Sequence, residues 1–171
     1  RPPRSTLFPY TTLFRSKSYQ PLPHRLQPLG EKDGIKYYDD SISTICETTI
    51  QALNTLKDVD TVLIGGMDRG IDYSELINFL SGHKVPHIIL MEATGKRILE
   101  EILNGYPDFQ DKDRLVLTDH LEDAVAKAKE LTRPGHSCLM SPAAASYGIF
   151  KNFEERGEVF ARLVSGSDKL M

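Results

Sequence analysis

The chain contains no tryptophan and only two cysteines, Cys46 and Cys138, which are not in CxxC spacing. A disulfide framework or a thiolate metal site needs more sulfur at closer spacing. Both thiols are therefore expected to be reduced, buried and inert, in a cytoplasmic compartment. No apolar run reaches the roughly 18 residues of a membrane span, and no signal-peptide pattern opens the sequence. Basic charge is not in excess: 21 Lys and Arg against 24 Asp and Glu leave a formal charge of −3. That excludes non-specific binding to nucleic acid or to an anionic membrane, both of which need a basic surface. The histidines His24, His83, His87, His120 and His136 are scattered without HxxxH or HExxH spacing, and no metal site is predicted. Neither GxGxxG nor GxxxxGK[ST] occurs, so a phosphate cradle is weakly supported.

What is present suits one domain. A chain of 171 residues, 40% hydrophobic and 26% charged, can bury a single core without staples. Residues 1–16 are set apart. They carry adjacent prolines at Pro2 and Pro3 and a poor helical period, and the string resembles the in-frame translation of a DNA-sequencing adapter. This stretch is excluded from fold reasoning and expected to be disordered. Its presence also suggests that an upstream part of the natural protein is missing. Residues 17–23 are polar and proline-punctuated, as a linker is, and residues 24–171 form the expected domain.

Within that domain, residues 25–29 and 35–39 are extended candidates around an Asp33-Gly34 hairpin signal. Thr44 and Glu47 make a capping-box pattern that predicts a helix through about Leu56, with Ile45, Ile50, Leu53 and Leu56 on its apolar face. Short apolar strands at 61–64, 87–91, 114–117 and 137–140 then alternate with helices at 73–80, 95–103, about 119–131 and about 147–163. Continuous apolar strands alternating with amphipathic helices imply a mostly parallel sheet covered on both faces. The predicted fold is Rossmann-like α/β, with one antiparallel strand from the initial hairpin. Ligands of such sheets sit outside the carboxyl ends of the strands. The loops at 39–44, 65–72, 91–95, 118–120 and 141–146 are the ones to inspect.

Three of these loops carry chemistry-bearing residues. Gly65-Gly66-Met67-Asp68-Arg69-Gly70 lets the backbone turn tightly, and Arg69 offers a forked cation suited to a carboxylate. A tight turn with a surface arginine explains the same string. Ser141-Pro142-Ala143-Ala144-Ala145-Ser146 is a small-residue loop that permits close ligand approach, beside a helix N-terminus that could receive an anion. Ser146 as a plain helix cap explains the same residue equally well, and the two roles can coexist. Asp39, Asp40, Ser41, Ser43 and Thr44 crowd acceptors and hydroxyls in a way that suits a ribose or a metal, though capping by Thr44 also accounts for much of it. Lys151 to Arg156 reads equally as a solvated helix face with charge pairs.

Ser141 to Ser146, followed by Phe150-Lys151-Asn152-Phe153-Glu154-Glu155-Arg156-Gly157 and Phe160, resembles the C-terminal signature of the D-glutamate-adding Mur ligases. His24-Arg25-Leu26, Tyr38-Asp39-Asp40-Ser41 and the glycine loop resemble that family in the same order. The resemblance runs from about Pro21 to the C-terminus. The DNPR string of the sister ligases that add lysine or a diamino acid is absent.

The resemblance implies the C-terminal domain of a three-domain, ATP- and Mg2+-dependent enzyme. That enzyme joins D-glutamate to UDP-N-acetylmuramoyl-L-alanine in peptidoglycan synthesis, through an acyl phosphate. It implies that Thr44 and Arg69 hold one carboxylate of D-glutamate, and Ser146 and the Phe153 backbone the other. Arg25 and Asp40 would meet the ATP base and ribose when the domain closes. The domain would be a monomer, inactive alone, with no cofactor held by itself and no catalytic base. The family often has lysine where Ile42 and Arg69 stand. Arginine conserves the charge, whereas Ile42 receives no role. A free-standing Rossmann-type nucleotide or anion binder, or the same domain of a sister Mur or folate ligase, are the alternative readings.

Overall fold

The computed structural model describes residues 22–83, 85–109 and 111–166. The adapter-like stretch and most of the expected linker lie outside them. Six strands form one sheet in the order β1-β2-β6-β3-β4-β5. They are β1 (Gln27–Lys32), β2 (Ile35–Asp39), β3 (Val59–Gly65), β4 (His87–Met91), β5 (Leu115–Thr118) and β6 (Ser137–Met140). Among these strands only β1 and β2 pair antiparallel; β2, β6, β3, β4 and β5 run parallel. The hairpin turns at Asp33 and Gly34, both in the left-handed region, as a tight two-residue turn requires.

Among the described residues five α-helices cover the sheet. On one face α1 (Cys46–Thr55), α2 (Ser74–Gly82) and α3 (Glu92–Gly105) pack Leu53, Leu76, Ile77, Leu80, Ile98 and Ile102 against Val62, Ile64, Ile88 and Leu90. On the other, α4 (Leu121–Leu131) and α5 (Phe153–Ser165) pack Leu121, Val125, Phe160 and Val164 against Leu63, Ile89, Cys138 and Met140. The central strands β3 and β6 are buried throughout, because parallel strands with helices on both sides have no wet face. The predicted Rossmann-like sheet with its antiparallel edge is the observed one.

Four local expectations are corrected. β1 begins at Gln27 rather than Arg25, because His24 and Leu26 both take positive φ and turn the chain before it can extend. Thr44 does not cap α1; Ile45 occupies the cap position without a side-chain bond. The buried face of α1 is Cys46, Thr49, Ala52 and Leu53, and Ile45 points to solvent. α5 begins at Phe153 instead of Tyr147. Asn152 is its cap, its side chain accepting the Glu155 N–H at 2.8 Å. Ser146 is therefore not a cap, and no helix N-terminus follows it directly.

Candidate functional site

Strands β2, β6 and β3 are neighbours, so the loops leaving their carboxyl ends are neighbours too. Hydrogen bonds knit them into one surface. The Asp40 N–H donates to the Met140 carbonyl at 2.9 Å, Ser141 N–H to Leu63 at 3.2 Å, and Gly65 N–H to Pro142 at 2.9 Å. Met67 N–H reaches the Ala145 carbonyl at 2.9 Å, and Thr94 N–H at the head of α3 reaches Gly66 at 3.0 Å. Gly66 is required here: a Cβ would fall inside contact distance of the Ala145 carbonyl and crowd the Ala144 methyl. The glycine pair thus serves close backbone approach between two loops.

Asp40 is buried beneath this surface. Its carboxylate accepts from the Leu26 N–H at 3.1 Å, Ser43 Oγ at 2.5 Å and Ser141 Oγ at 2.7 Å. Burial nevertheless raises its pKa above the ordinary aspartate value, outweighing the three donors. Asp40 and the exposed Arg25 line one recess of about 110 Å³ between the loop and α1. It is smaller than a site that would enclose a nucleoside. A recess of about 570 Å³ between β1 and α5, lined by Leu29, Tyr37 and Arg162 among others, holds none of the candidate side chains.

The candidates for carboxylate contact lie around the same sheet edge. Ser146 is buried, next to the Ala145 carbonyl that pairs with Met67. Arg69 is exposed on the glycine loop, and Thr44 is half-buried at the end of the 39–44 loop. Phe153 opens α5, and its carbonyl accepts from Ser41 Oγ at 2.7 Å. The loops bring these four residues to one edge. Ile42 is half-buried in the first loop, its N–H donating to the His24 carbonyl.

Sequence reasoning assigned no role to four residues that build this edge. Arg156, in a run that reads equally as a solvated helix face, is 1% exposed. Its Nε donates to Ser41 Oγ at 3.0 Å, and its Nη2 to the carbonyls of Ser41 and Ala144 at 2.9 and 3.0 Å. Nη1 is buried with no hydrogen-bond partner among the described residues and lies 3.0 Å from where a Gly66 Cβ would stand. Burial lowers the guanidinium pKa to about 10, against the pull of Glu92 and Asp39, which still leaves it charged at neutral pH. Glu92 is held at φ 60, and burial raises its carboxyl despite nearby Arg156. Arg97 shapes the glycine loop from α3, donating to Asp68 Oδ1 and the Ile71 carbonyl, each at 2.9 Å. His24, read as one of five scattered histidines, pairs through Nδ1 with Asp39 Oδ2 at 2.7 Å.

Among the described residues no three His, Cys, Asp or Glu side chains converge as metal ligands. The crowded acceptors of the 39–44 loop are instead consumed by internal donors. These residues do not fit a magnesium site.

No protein-family model matches the chain. Curated relatives do. The UDP-N-acetylmuramoylalanine–D-glutamate ligase of Thermoanaerobacter sp. is 36% identical over 150 residues, covering 87% of this chain and 32% of that protein. The ligase of the same name from Chlamydia caviae is 34% identical over 154 residues, covering 90% of this chain and 35% of that protein. This chain spans about a third of the length of the relatives it matches. Among solved structures, the MurF ligase of Thermotoga maritima in complex with ADP superposes with a TM-score of 0.54 at 18% identity, over 90% of this chain and 34% of that one. A murein peptide ligase from Psychrobacter arcticus gives 0.56 at 15% identity, over 87% of this chain and 31% of that one. The last two establish likeness of fold.

Proposed function

We propose, for a chain that belongs to the Mur ligase family and is homologous along 87% of its length to D-glutamate-adding members, that it is their C-terminal, amino-acid-positioning domain. The observation that carries this reading is the meeting of the 39–44, 65–72 and 141–146 loops at one sheet edge, in a chain with those relatives. In this reading the whole enzyme activates UDP-N-acetylmuramoyl-L-alanine with ATP and magnesium in the cytoplasm, and D-glutamate is the incoming amine.

Thr44 and Arg69 hold one D-glutamate carboxylate; Ser146 Oγ and the Phe153 N–H hold the other. The first-turn N–H of α5 has no partner within the helix and is free to serve an anion. Arg25 and Asp40 form the edge that closes on the nucleotide. Fixing the amine against an acyl phosphate is an entropic contribution, and it needs no catalytic base from this domain. Among the described residues, the recess that Arg25 and Asp40 line is about 110 Å³, and in this reading another domain completes the site.

The test is phosphate release by the full-length ligase carrying this segment, given ATP, magnesium and UDP-N-acetylmuramoyl-L-alanine. Release that depends on D-glutamate supports the reading. Turnover with L-glutamate or meso-diaminopimelate instead would assign the domain to a sister ligase. Tight ATP binding by the 171-residue chain alone would favour a free-standing nucleotide module.

A further inference from the structure

We propose that His24 is a positioning residue: its ring, clamped between Asp39 and Gly157, fixes the turn that presents Arg25 to the nucleotide. The proposal rests on the reading of Arg25 as a nucleotide contact.

Arg25 stands between two residues in the left-handed region, His24 at φ 60 and Leu26 at φ 43. A residue with a Cβ rarely adopts that conformation, and two in three residues persist only where the surroundings over-determine them. Here the surroundings do. The His24 N–H donates to Gln27 Oε1 at 2.8 Å, and the His24 carbonyl accepts from Ile42 N–H at 3.2 Å. Arg25 N–H reaches the Leu22 carbonyl at 3.2 Å, and Leu26 N–H reaches Asp40 Oδ1 at 3.1 Å. Every backbone N–H of the turn is thereby occupied.

The imidazole supplies the anchor that backbone bonds cannot. Nδ1 donates to Asp39 Oδ2 at 2.7 Å, and the Asp39 side chain is 1% exposed. The other Asp39 oxygen accepts from Ser41 N–H at 2.9 Å, so the carboxylate cannot swing away. The ring also stands edge-on to Phe153, with centroids 6.2 Å apart. α5 leaves the slot for this pair at Gly157, where a Cβ would collide with both His24 Nδ1 and Asp39 Oδ2. Gly157 lies inside a helix, where glycine costs stability; the space it leaves is the physical reason for it. Arg25 is exposed at the apex, between its two constrained neighbours.

The test is steady-state kinetics of the full-length ligase with Arg25→Ala, His24→Ala, His24→Asn and Gly157→Ala, each checked by thermal unfolding. Arg25→Ala should raise KM for ATP about tenfold, the scale of a lost charge-assisted hydrogen bond. His24→Ala and Gly157→Ala should raise it comparably, with KM for UDP-N-acetylmuramoyl-L-alanine unchanged. His24→Asn tolerates positive φ and keeps an N–H for Asp39, so it should stay close to wild type. A sensitive Arg25→Ala with a silent His24→Ala overturns the positioning role alone. A silent Arg25→Ala overturns the nucleotide reading of Arg25, and this proposal with it. Should His24→Ala not fold, Asp39→Asn reads the same clamp: a raised KM for ATP supports it and an unchanged one overturns it.

Discussion

Arg156 and Ser41 are 115 residues apart in sequence and bound twice in the fold, through Nε to Oγ at 3.0 Å and Nη2 to the carbonyl at 2.9 Å. Ser41 Oγ in turn donates to the Phe153 carbonyl, so one buried arginine ties the loop after β2 to the start of α5. A third bond, to Ala144, adds the loop after β6. Replacing Arg156 by Leu strands two carbonyls in a dry interior. The expected loss is about 3 kcal/mol of stability. Chemical denaturation of the 171-residue chain measures it, and a loss within 0.5 kcal/mol, about the size of an ordinary surface change, would return Arg156 to the solvated face.

The contact between the glycine loop and the small-residue loop predicts a second effect. Gly66 has φ 157, and any Cβ would strike the Ala145 carbonyl. Gly66→Ala must push the two loops apart and break the Met67 to Ala145 bond, at a cost of about 3 kcal/mol. A melting temperature like that of the parent would show that the loops are not held as described.

Arg69 is exposed at the same edge, so its replacement should leave the fold unchanged. If Arg69 holds a D-glutamate carboxylate as proposed, Arg69→Ala in the full-length ligase weakens D-glutamate use by about 2 kcal/mol, the scale of losing one partner of a charge pair. Arg69→Lys should recover most of it. Unchanged KM and kcat for D-glutamate in Arg69→Ala would remove Arg69 from the site.

Two buried aspartates should make opposite contributions to stability with pH. Burial raises Asp40 above its ordinary value of 3.8, so the folded state holds the proton more tightly than the unfolded state. Its contribution is full below 3.8 and is lost as pH rises through the raised value. Burial pushes Asp60 up as well, but the Arg133 bonds from N, Nε and Nη2 outweigh it and hold the carboxyl below 3.8. Its contribution is present above 3.8 and is lost as pH falls through the lowered value. Relative to the parent, Asp40→Asn should gain melting temperature as pH rises past 3.8. Asp60→Asn should lose it as pH rises toward 3.8. Parallel curves for all three would contradict both assignments.

Both thiols are buried, and burial pushes Cys46 up to about 11 and Cys138 up to about 12. Alkylation by iodoacetamide at about pH 8 should therefore be slow in the folded chain and complete in denaturant, because the thiolate is the nucleophile. Rapid native labelling of Cys138 would mean that β6 opens.

Alternation of short apolar runs with helical patterns was enough to specify the parallel sheet. β2, β4 and β6 match the expected spans residue for residue: β4 and β6 because strands covered on both faces read as apolar runs, β2 because the Asp33-Gly34 turn fixes where it starts. The sheet edge on which ligands gather followed from the same alternation. Local pattern failed at helix starts. Thr44 and Ser146 have the chemistry of caps, yet Ile45 and Asn152 hold those positions. It failed again for charge: Arg156 in a run of Lys and Glu looks solvated until Ser41 and Ala144 arrive from distant strands. His24 gains its role only when Asp39 and Gly157 close around it. Propensity and periodicity act over a few residues, so the sequence by itself determined the elements and the layer they form. The partners of a buried cation or a clamped imidazole are set by which loops the sheet order makes adjacent, and only the tertiary structure decided that.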